Sequence, residues 1–382
     1  MSIKLATANI YLTENCNLRC DYCYENHINK VMSPAMMDRV IDFCCDNAVE
    51  DQFRFWLFGG EPMLVGDSIL EFIPKAIRGA QKRNIVPKFN VLTNGTIFNL
   101  AFAEFWGSHD CVGLQVSLDG IHEAHDRHRK TVNGEPTFDR IITNIKEYLK
   151  YRRDVHVRLT VMPDTVQYLA ESIAYIIDLG VRSFAFMAVH EVEWPPEAVA
   201  IYREQFKQIV DMYVNLIQNK EKAFCSNIRL NYPGEHFQDI PCGAGSAFVA
   251  ITTQGDIYPC HRFVYLKDAD GNSFQIGNVM EGFYPERRRP FEDIKIMKMK
   301  GCATCDVKNC NRCIAMNWVM NQDLLDSTRP GYCDLTGIHD EAAIKVYNYL
   351  GKLYDWAAER QLLDEYPFVK KLIEENEYCF HG

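Results

Sequence analysis

An α/β fold built on a partial (β/α)6 barrel of the TIM type is predicted by three observations. Six short apolar or β-branched runs alternate with amphipathic segments of helical period through the first half of the chain. Each run is bounded by turn residues, as strands of a parallel sheet with helical crossovers would be. The residues that follow the runs are unusual: a cysteine cluster after the first, Gly59-Gly60-Glu61-Pro62 after the second, Thr93-Asn94-Gly95 after the third and Asp119-Gly120 after the fourth. In such sheets the ligand site lies beyond the carboxyl ends of the strands, so these loops would share one mouth.

The elements follow in order. Strands are expected at 7–13, 53–58, 88–93, 112–118, 155–161 and 183–189. Helices are expected at about 35–49, 68–82, 98–107, 138–151, 166–179 and 195–221. Ser33-Pro34 opens the first helix as cap and first-turn proline. From Asn227 to Tyr332 the chain turns rich in Gly, Pro, Asn and Cys, with few periodic segments. A small region stapled by metal fits, because thiolate–metal bonds replace a hydrophobic core. Helical period returns at about 339–376, with a break near Tyr366-Pro367. Three parts result: 1–225 as the barrel, 226–335 as an iron–sulfur domain, and 336–382 as a C-terminal helical segment.

The 382 residues are 47% apolar and 24% charged, ordinary values for a globular protein with a sizeable core. The net charge of -10 argues against nucleic acid or an anionic membrane as partner, and it hints at a basic substrate segment. No apolar run approaches transmembrane length, and no signal peptide opens the chain. The expected compartment is the cytoplasm. There, disulfides are disfavoured, so clustered cysteines read as metal or redox sites. Ten of the fifteen cysteines fall into two clusters. Cys44, Cys45 and Cys111 read as buried small hydrophobes. Cys225 and Cys379 also lack ligand spacing.

Cys16, Cys20 and Cys23 form C-x3-C-x2-C. Soft thiolates on one short loop suit an iron–sulfur cluster, and three of them leave one iron of a cubane without a protein ligand. An open iron makes the chain an enzyme candidate rather than an electron carrier. Structural zinc is disfavoured, because no fourth ligand follows at suitable spacing and His27 is the only histidine nearby. The second cluster comprises Cys242, Cys260, Cys302, Cys305, Cys310, Cys313 and Cys333. Seven cysteines are one short of two fully ligated cubanes. Two zinc sites completed by His261 are the alternative.

Alone, Gly59-Gly60 is a plain turn, Ser117 a locally satisfied serine and Arg129 a solvated cation. Together, glycine carbonyls could bind an amine, and a hydroxyl with a guanidinium could hold a carboxylate.

Taken together, these motifs resemble the radical S-adenosylmethionine (SAM) enzymes that carry a C-terminal SPASM domain. The resemblance runs from about residue 7 to 335. It rests on the cysteine triplet with Tyr22 before its last member, the Gly-Gly-Glu-Pro loop, Thr-Asn-Gly, Ser-Leu-Asp-Gly with His-Asp and an arginine after it, and the seven-cysteine tail. The resemblance implies a [4Fe–4S] cluster on Cys16, Cys20 and Cys23, whose free iron chelates SAM. Gly59, Gly60 and Glu61 would contact the SAM amine, Ser117 and Arg129 its carboxylate, Tyr22 its adenine, and Asn94 would join the cofactor site. One electron would cleave SAM to methionine and a 5′-deoxyadenosyl radical, which abstracts hydrogen from an unactivated C–H bond. Two auxiliary [4Fe–4S] clusters are implied: one on Cys302, Cys305, Cys310 and Cys333, the other on Cys242, Cys260 and Cys313, where the missing eighth cysteine leaves room for an open iron.

Anaerobic sulfatase-maturating relatives have an extra cysteine shortly after the position of Cys242, and an aspartate base after that of Cys260. Here no such cysteine follows, and the second residue is His261. His261 is therefore the candidate for proton removal. The expected function is radical oxidation or crosslinking of a residue in a peptide or protein, as in maturation of ribosomally made peptides. Sulfatase-type formylglycine formation and small-molecule dehydrogenation are the enzymatic alternatives, and an iron–sulfur electron carrier the non-enzymatic one. Expected partners are the peptide substrate, a reductant such as flavodoxin or ferredoxin, and a separate leader-binding protein, because the chain begins directly at its first strand.

Overall fold

The computed structural model describes residues 4–370, apart from 50, 222, 229–241, 308–309, 311, 330 and 368. Cys379 and the end of the expected C-terminal segment lie outside them. Six parallel strands alternate with helices: β1 (Thr7–Thr13), α1 (Pro34–Asp46), β2 (Gln52–Gly59), α2 (Gly66–Gln81), β3 (Val86–Thr93), α3 (Leu100–Gly107), β4 (Val112–Ser117), α4 (His122–His128), α5 (Phe138–Tyr148), β5 (His156–Val161), α6 (Leu169–Asp178), β6 (Ser183–Ala188) and α7 (Pro196–Gln218). The boundaries follow local chemistry. Ser33 Oγ accepts from the Met36 amide at 3.2 Å to start α1, and Asn99 Oδ1 accepts from Phe102 at 2.9 Å to start α3.

Neighbouring strands pair in sequence order from β1 to β6, and β7 (Phe224–Cys225) adds to β6. Past the exposed Gln52 of β2 and the first three residues of β3, buried and half-buried residues alternate along β2 to β6. The buried face meets the helices. Phe53, Phe55, Phe72 and Phe89 pack there, with Phe55 and Phe89 stacked at 5.3 Å. The half-buried face lines a cavity of about 490 Å³ shared by Trp56 on β2, Gln115 on β4, Arg158 on β5 and Met187 on β6. Residues of separated strands share one cavity, so the sheet is curled into an open barrel.

The cysteine-rich region is not a body apart from the sheet. β8 (Phe248–Ile251) pairs parallel to β1, and β9 (Asp256–Tyr258), β10 (Gly277–Asn278) and β11 (Gly282–Phe283) continue antiparallel to an eleven-stranded sheet. Two short helices, α8 (Pro285–Glu292) and α9 (Ile314–Asn321), follow. α10 (Tyr332–Glu359) begins earlier and ends earlier than the periodicity suggests, so the boundary expected at 335/336 falls inside a helix. α10 packs along α7 and closes one side of the barrel, with Leu335, Thr336 and His339 on the cavity wall. No described helix is long and apolar enough to cross a membrane.

Candidate functional site

The loop after β1 is fastened to the loop after β2 by backbone contacts that only glycine allows. The Gly60 amide donates to Thr13 O at 3.0 Å, and the Glu61 amide to Asn15 O at 2.8 Å. A Cβ on Gly59 would stand 2.2 Å from Thr13 O, and one on Gly60 2.0 Å from Asn15 O. Gly59 also has φ +121°, a left-handed backbone. The glycine pair therefore serves close approach of two chain segments.

Glu61 is fully buried, and its carboxylate is taken up by the protein. Oε1 accepts from the Met63 amide at 2.8 Å and from Thr93 Oγ1 at 2.7 Å, and Oε2 from the Asn94 amide at 2.5 Å. Burial pushes its pKa up to about 7 against the pull of these bonds. Glu61 thus ties the second loop to the third. Asn94 extends the tie to the cysteines: its Nδ2 meets Asn17 Oδ1 at 2.9 Å and Cys16 Sγ at 3.8 Å.

A second brace comes from β4 and α4. Asp119 Oδ2 accepts from Arg129 Nε at 2.8 Å and from the Tyr22 hydroxyl, and Oδ1 accepts from the Thr160 amide at 2.7 Å. Arg129 Nη1 lies 3.9 Å from Cys20 Sγ. The His125 ring accepts the Asp119 N–H at 3.1 Å and reaches Thr137 Oγ1 at 3.0 Å. Burial holds its pKa down to about 4, so it is neutral. Asp126 receives the Thr137 and Phe138 amides at 2.7 and 3.0 Å and so starts α5. In the Asp-Gly and His-Asp motifs, then, Asp119, His125 and Asp126 build framework. Ser117 stands at the end of β4, in register with Arg158 of β5.

These surroundings fit a thiolate-held cluster. Cys16 and Cys20 are half-buried, and burial first raises their pKa to about 11 and about 12. Donors wait at the sulfurs: the Leu18 amide at 3.4 Å from Cys16 Sγ, Asn94 on the same sulfur, and Arg129 on Cys20. Such donors offset the charge a thiolate would carry. Among the described residues, no three His, Cys, Asp or Glu side chains crowd one point as ligands of a single ion would. Thiolates bound to three separate irons stand farther apart than that. His27 Nε2 sits 3.3 Å from Cys23 Sγ, where it satisfies that sulfur.

Within the second cysteine group, mutual electrostatic influence links two sets of cysteines. Besides burial, Cys313 and Cys242 raise the pKa of Cys260, while Cys310 and Cys302 raise that of Cys333. Cys242, Cys260 and Cys313 are thus neighbours, as are Cys302, Cys310 and Cys333. Cys305 shares a turn with Cys302, its amide donating to Cys302 O at 3.1 Å.

His261 follows β9 and packs inward. Its Nδ1 accepts from Asn9 Nδ2 at 2.7 Å, and Phe58 and Tyr24 face its ring at 5.0 and 5.8 Å. Burial, then Arg262 and Arg158, pull its pKa to about 3, which leaves it a weak proton acceptor. It is absent from the cavity wall.

The residues not foreseen lie on that wall or near it. Arg158, His190, Arg329 and Tyr332 form one group, with His190 between Arg329 at 3.0 Å and the Tyr332 hydroxyl at 2.7 Å. Glu25 is buried against the Tyr11 hydroxyl at 2.8 Å, and burial raises its pKa to about 7. The available signal was period two: Arg54, Trp56, His156 and Arg158 sit at alternate positions of strands otherwise apolar.

Residues 10–176 match the model of the radical SAM superfamily. A cysteine-type anaerobic sulfatase-maturating enzyme of Clostridium novyi is 26% identical over 308 residues, covering 72% of this chain and 76% of its own. The subtilosin biosynthesis protein AlbA of Bacillus subtilis is 22% identical over 293 residues, 72% of this chain and 58% of its own. Among solved structures, anSMEcpe with bound AdoMet and the Cp18Cys peptide superposes with a TM-score of 0.72 at 18% identity, over 90% of this chain and 99% of its own. SuiB of Streptococcus suis bound to its precursor peptide SuiA gives 0.61 at 16%, over 86% and 76%. The shared architecture is the curled parallel sheet described above. SAM and a [4Fe–4S] cluster are the cofactors of this superfamily. Residues 10–176 form a radical SAM domain, and the chain as a whole is similar to enzymes of that superfamily.

Proposed function

We propose that this enzyme modifies a residue of a peptide or protein by radical hydrogen abstraction, introducing an oxidation or a crosslink. The observation that carries the reading is the cavity: it runs from the barrel interior to Cys310 and Cys313, so a substrate inside it lies against the second cysteine group. SAM and the N-terminal cluster would supply a carbon-centred radical able to take hydrogen from an unactivated C–H bond. Cys16, Cys20 and Cys23 would hold that cluster. The Gly59–Glu61 backbone, Asn94, Ser117 and Arg129 would position SAM, and Tyr22 would flank it. Cys302, Cys305, Cys310 and Cys333 would hold one auxiliary cluster, and Cys242, Cys260 and Cys313 the other.

The chain's own residues do the remaining work. Asp119 fixes the Arg129 guanidinium, and Glu61 fixes the loops on either side of Asn94. The apolar wall of Phe186, Met187 and Leu335 would limit water around the reacting carbon. Peptide-bound relatives of the same fold support a peptide substrate.

Formylglycine formation on a sulfatase is the second reading, favoured by the maturase relatives. The place of His261 off the cavity wall weighs against its use as the base that reaction needs. The test is anaerobic incubation of reconstituted enzyme with SAM, a reductant and either a sulfatase-derived cysteine peptide or short peptides encoded beside its gene. Mass spectrometry reads the product. A loss of two hydrogens with a new intrachain bond supports crosslinking. Aldehyde formation on the sulfatase peptide overturns it in favour of the second reading.

A further inference from the structure

The barrel interior has the opposite sign to the chain as a whole. Arg54, Arg158, Arg312 and Arg329 all reach the cavity wall, where Asp154 is the sole carboxylate among the described lining residues. Asp154 already pairs with Arg152. A net charge of -10 is a sum over the surface and does not set the field inside a concave, low-dielectric site.

Three of these cations differ in how they are held. Arg312 gives Nη1 to Cys310 O at 3.2 Å and Nη2 to Val307 O at 3.0 Å. Arg329 gives Nη1 to His190. Both are almost fully buried, at 8% and 5% exposure, and the Nε of each has no partner. Both also stand beside the second cysteine group, where an anionic cluster would balance them. Arg158 makes no hydrogen bond to that group among the described residues. It projects from the middle of β5, touches Met187 Sδ at 3.0 Å, and makes no ion pair among the described residues. A guanidinium held inside a protein without a carboxylate is costly unless a ligand completes it. Its planar fork matches a carboxylate through two parallel hydrogen bonds. Gln115 and His190 add polar groups around the same space.

Arg158 stands in register with Ser117 and within the field of Arg129, the residues placed at the SAM carboxylate, but of the three it alone lines the cavity, where a second carboxylate would be met. Resting on the peptide reading above, we propose that Arg158 receives a carboxylate of the peptide substrate. The enzyme would thereby select peptides that place an acidic side chain or a terminal carboxylate inside the barrel.

The test uses reconstituted holoenzyme with SAM and fluorescein-labelled Gly/Ser octapeptides, read by anisotropy. Three probes have amidated ends and a central Asp, Asn or Lys; a fourth has Asn and a free C-terminus. The expected result is at least about tenfold tighter binding of the Asp or the free-carboxylate probe over the amidated Asn probe. Whichever of the two gains identifies the source of the carboxylate. Arg158→Gln should reduce that gain to below about twofold, with Arg158→Lys between, because lysine keeps charge but not the fork. SAM affinity and peptide-free 5′-deoxyadenosine formation should stay within about twofold of wild type in both variants. Equal binding of Asp and Asn probes, a gain that survives Arg158→Gln, or a fall in SAM affinity overturns the assignment. Binding of no probe at all counts against the peptide reading itself, and this assignment falls with it.

Discussion

The first cysteine loop hangs from the carboxyl ends of parallel strands, whereas the second cysteine group is gathered from a strand end, several turns and the starts of two helices. Around Cys16 and Cys20 the neighbours are Asn94 and Arg129, each locked in turn by Glu61 or Asp119. Around the second group the framework is sparser among the described residues. Cys313 caps α9, Cys333 enters the first turn of α10, and Arg312 N–H meets Cys310 Sγ at 3.4 Å. The difference teaches where order comes from. The first cysteine loop is positioned by the sheet itself; the second would depend more on a bound cluster for its shape.

The largest effect should separate the two groups outright. Cys20→Ala should abolish SAM cleavage, lowering 5′-deoxyadenosine to the uncatalysed background. Cys313→Ala should lower iron content and abolish peptide product while cleavage of SAM continues. Chromatography of both products from the same anaerobic reactions checks it. Equal loss in the two variants would break the comparison.

Next in size is Asp119→Ala. It strands the buried Arg129 and the Tyr22 hydroxyl, so the cluster-free protein should lose about 3–5 kcal/mol in urea denaturation.

The smallest effect is a pH slope. The folded pKa of Glu61 is raised to about 7 by burial, above its unfolded value. Folding therefore favours the protonated form. The Glu61 contribution is most favourable below about pH 4 and declines as pH rises toward about 7. Glu61→Gln should flatten the fall in stability between about pH 5 and pH 7, by about 1–3 kcal/mol across the window. Urea midpoints of both proteins at each pH measure it; parallel slopes would contradict the assignment.

Much of the barrel was legible because its six strands are bounded by turn chemistry and end in distinctive loops. The cysteine triplet was legible because its ligands are local. β8 was not, because four residues, Phe248–Ile251, in a Gly- and Cys-rich stretch carry no period, and their partner is β1, some 240 residues away. The framework role of Glu61 and Asp119 was hidden for a related reason: their partners Thr93, Asn94, Tyr22 and Thr160 come from other loops. The net charge does not report the interior. It pointed to a basic substrate, while the cavity wall presents arginines.

The account rests on an N-terminal cluster with one iron free for SAM. The direct measurement is electron–nuclear double resonance on the reduced cluster with SAM labelled at its amino nitrogen and carboxylate carbon, in wild type and in His27→Ala. Strong coupling to both labels, unchanged in the variant, is the predicted result. Absence of coupling, with a protein nitrogen or a fourth thiolate on that iron instead, would contradict it.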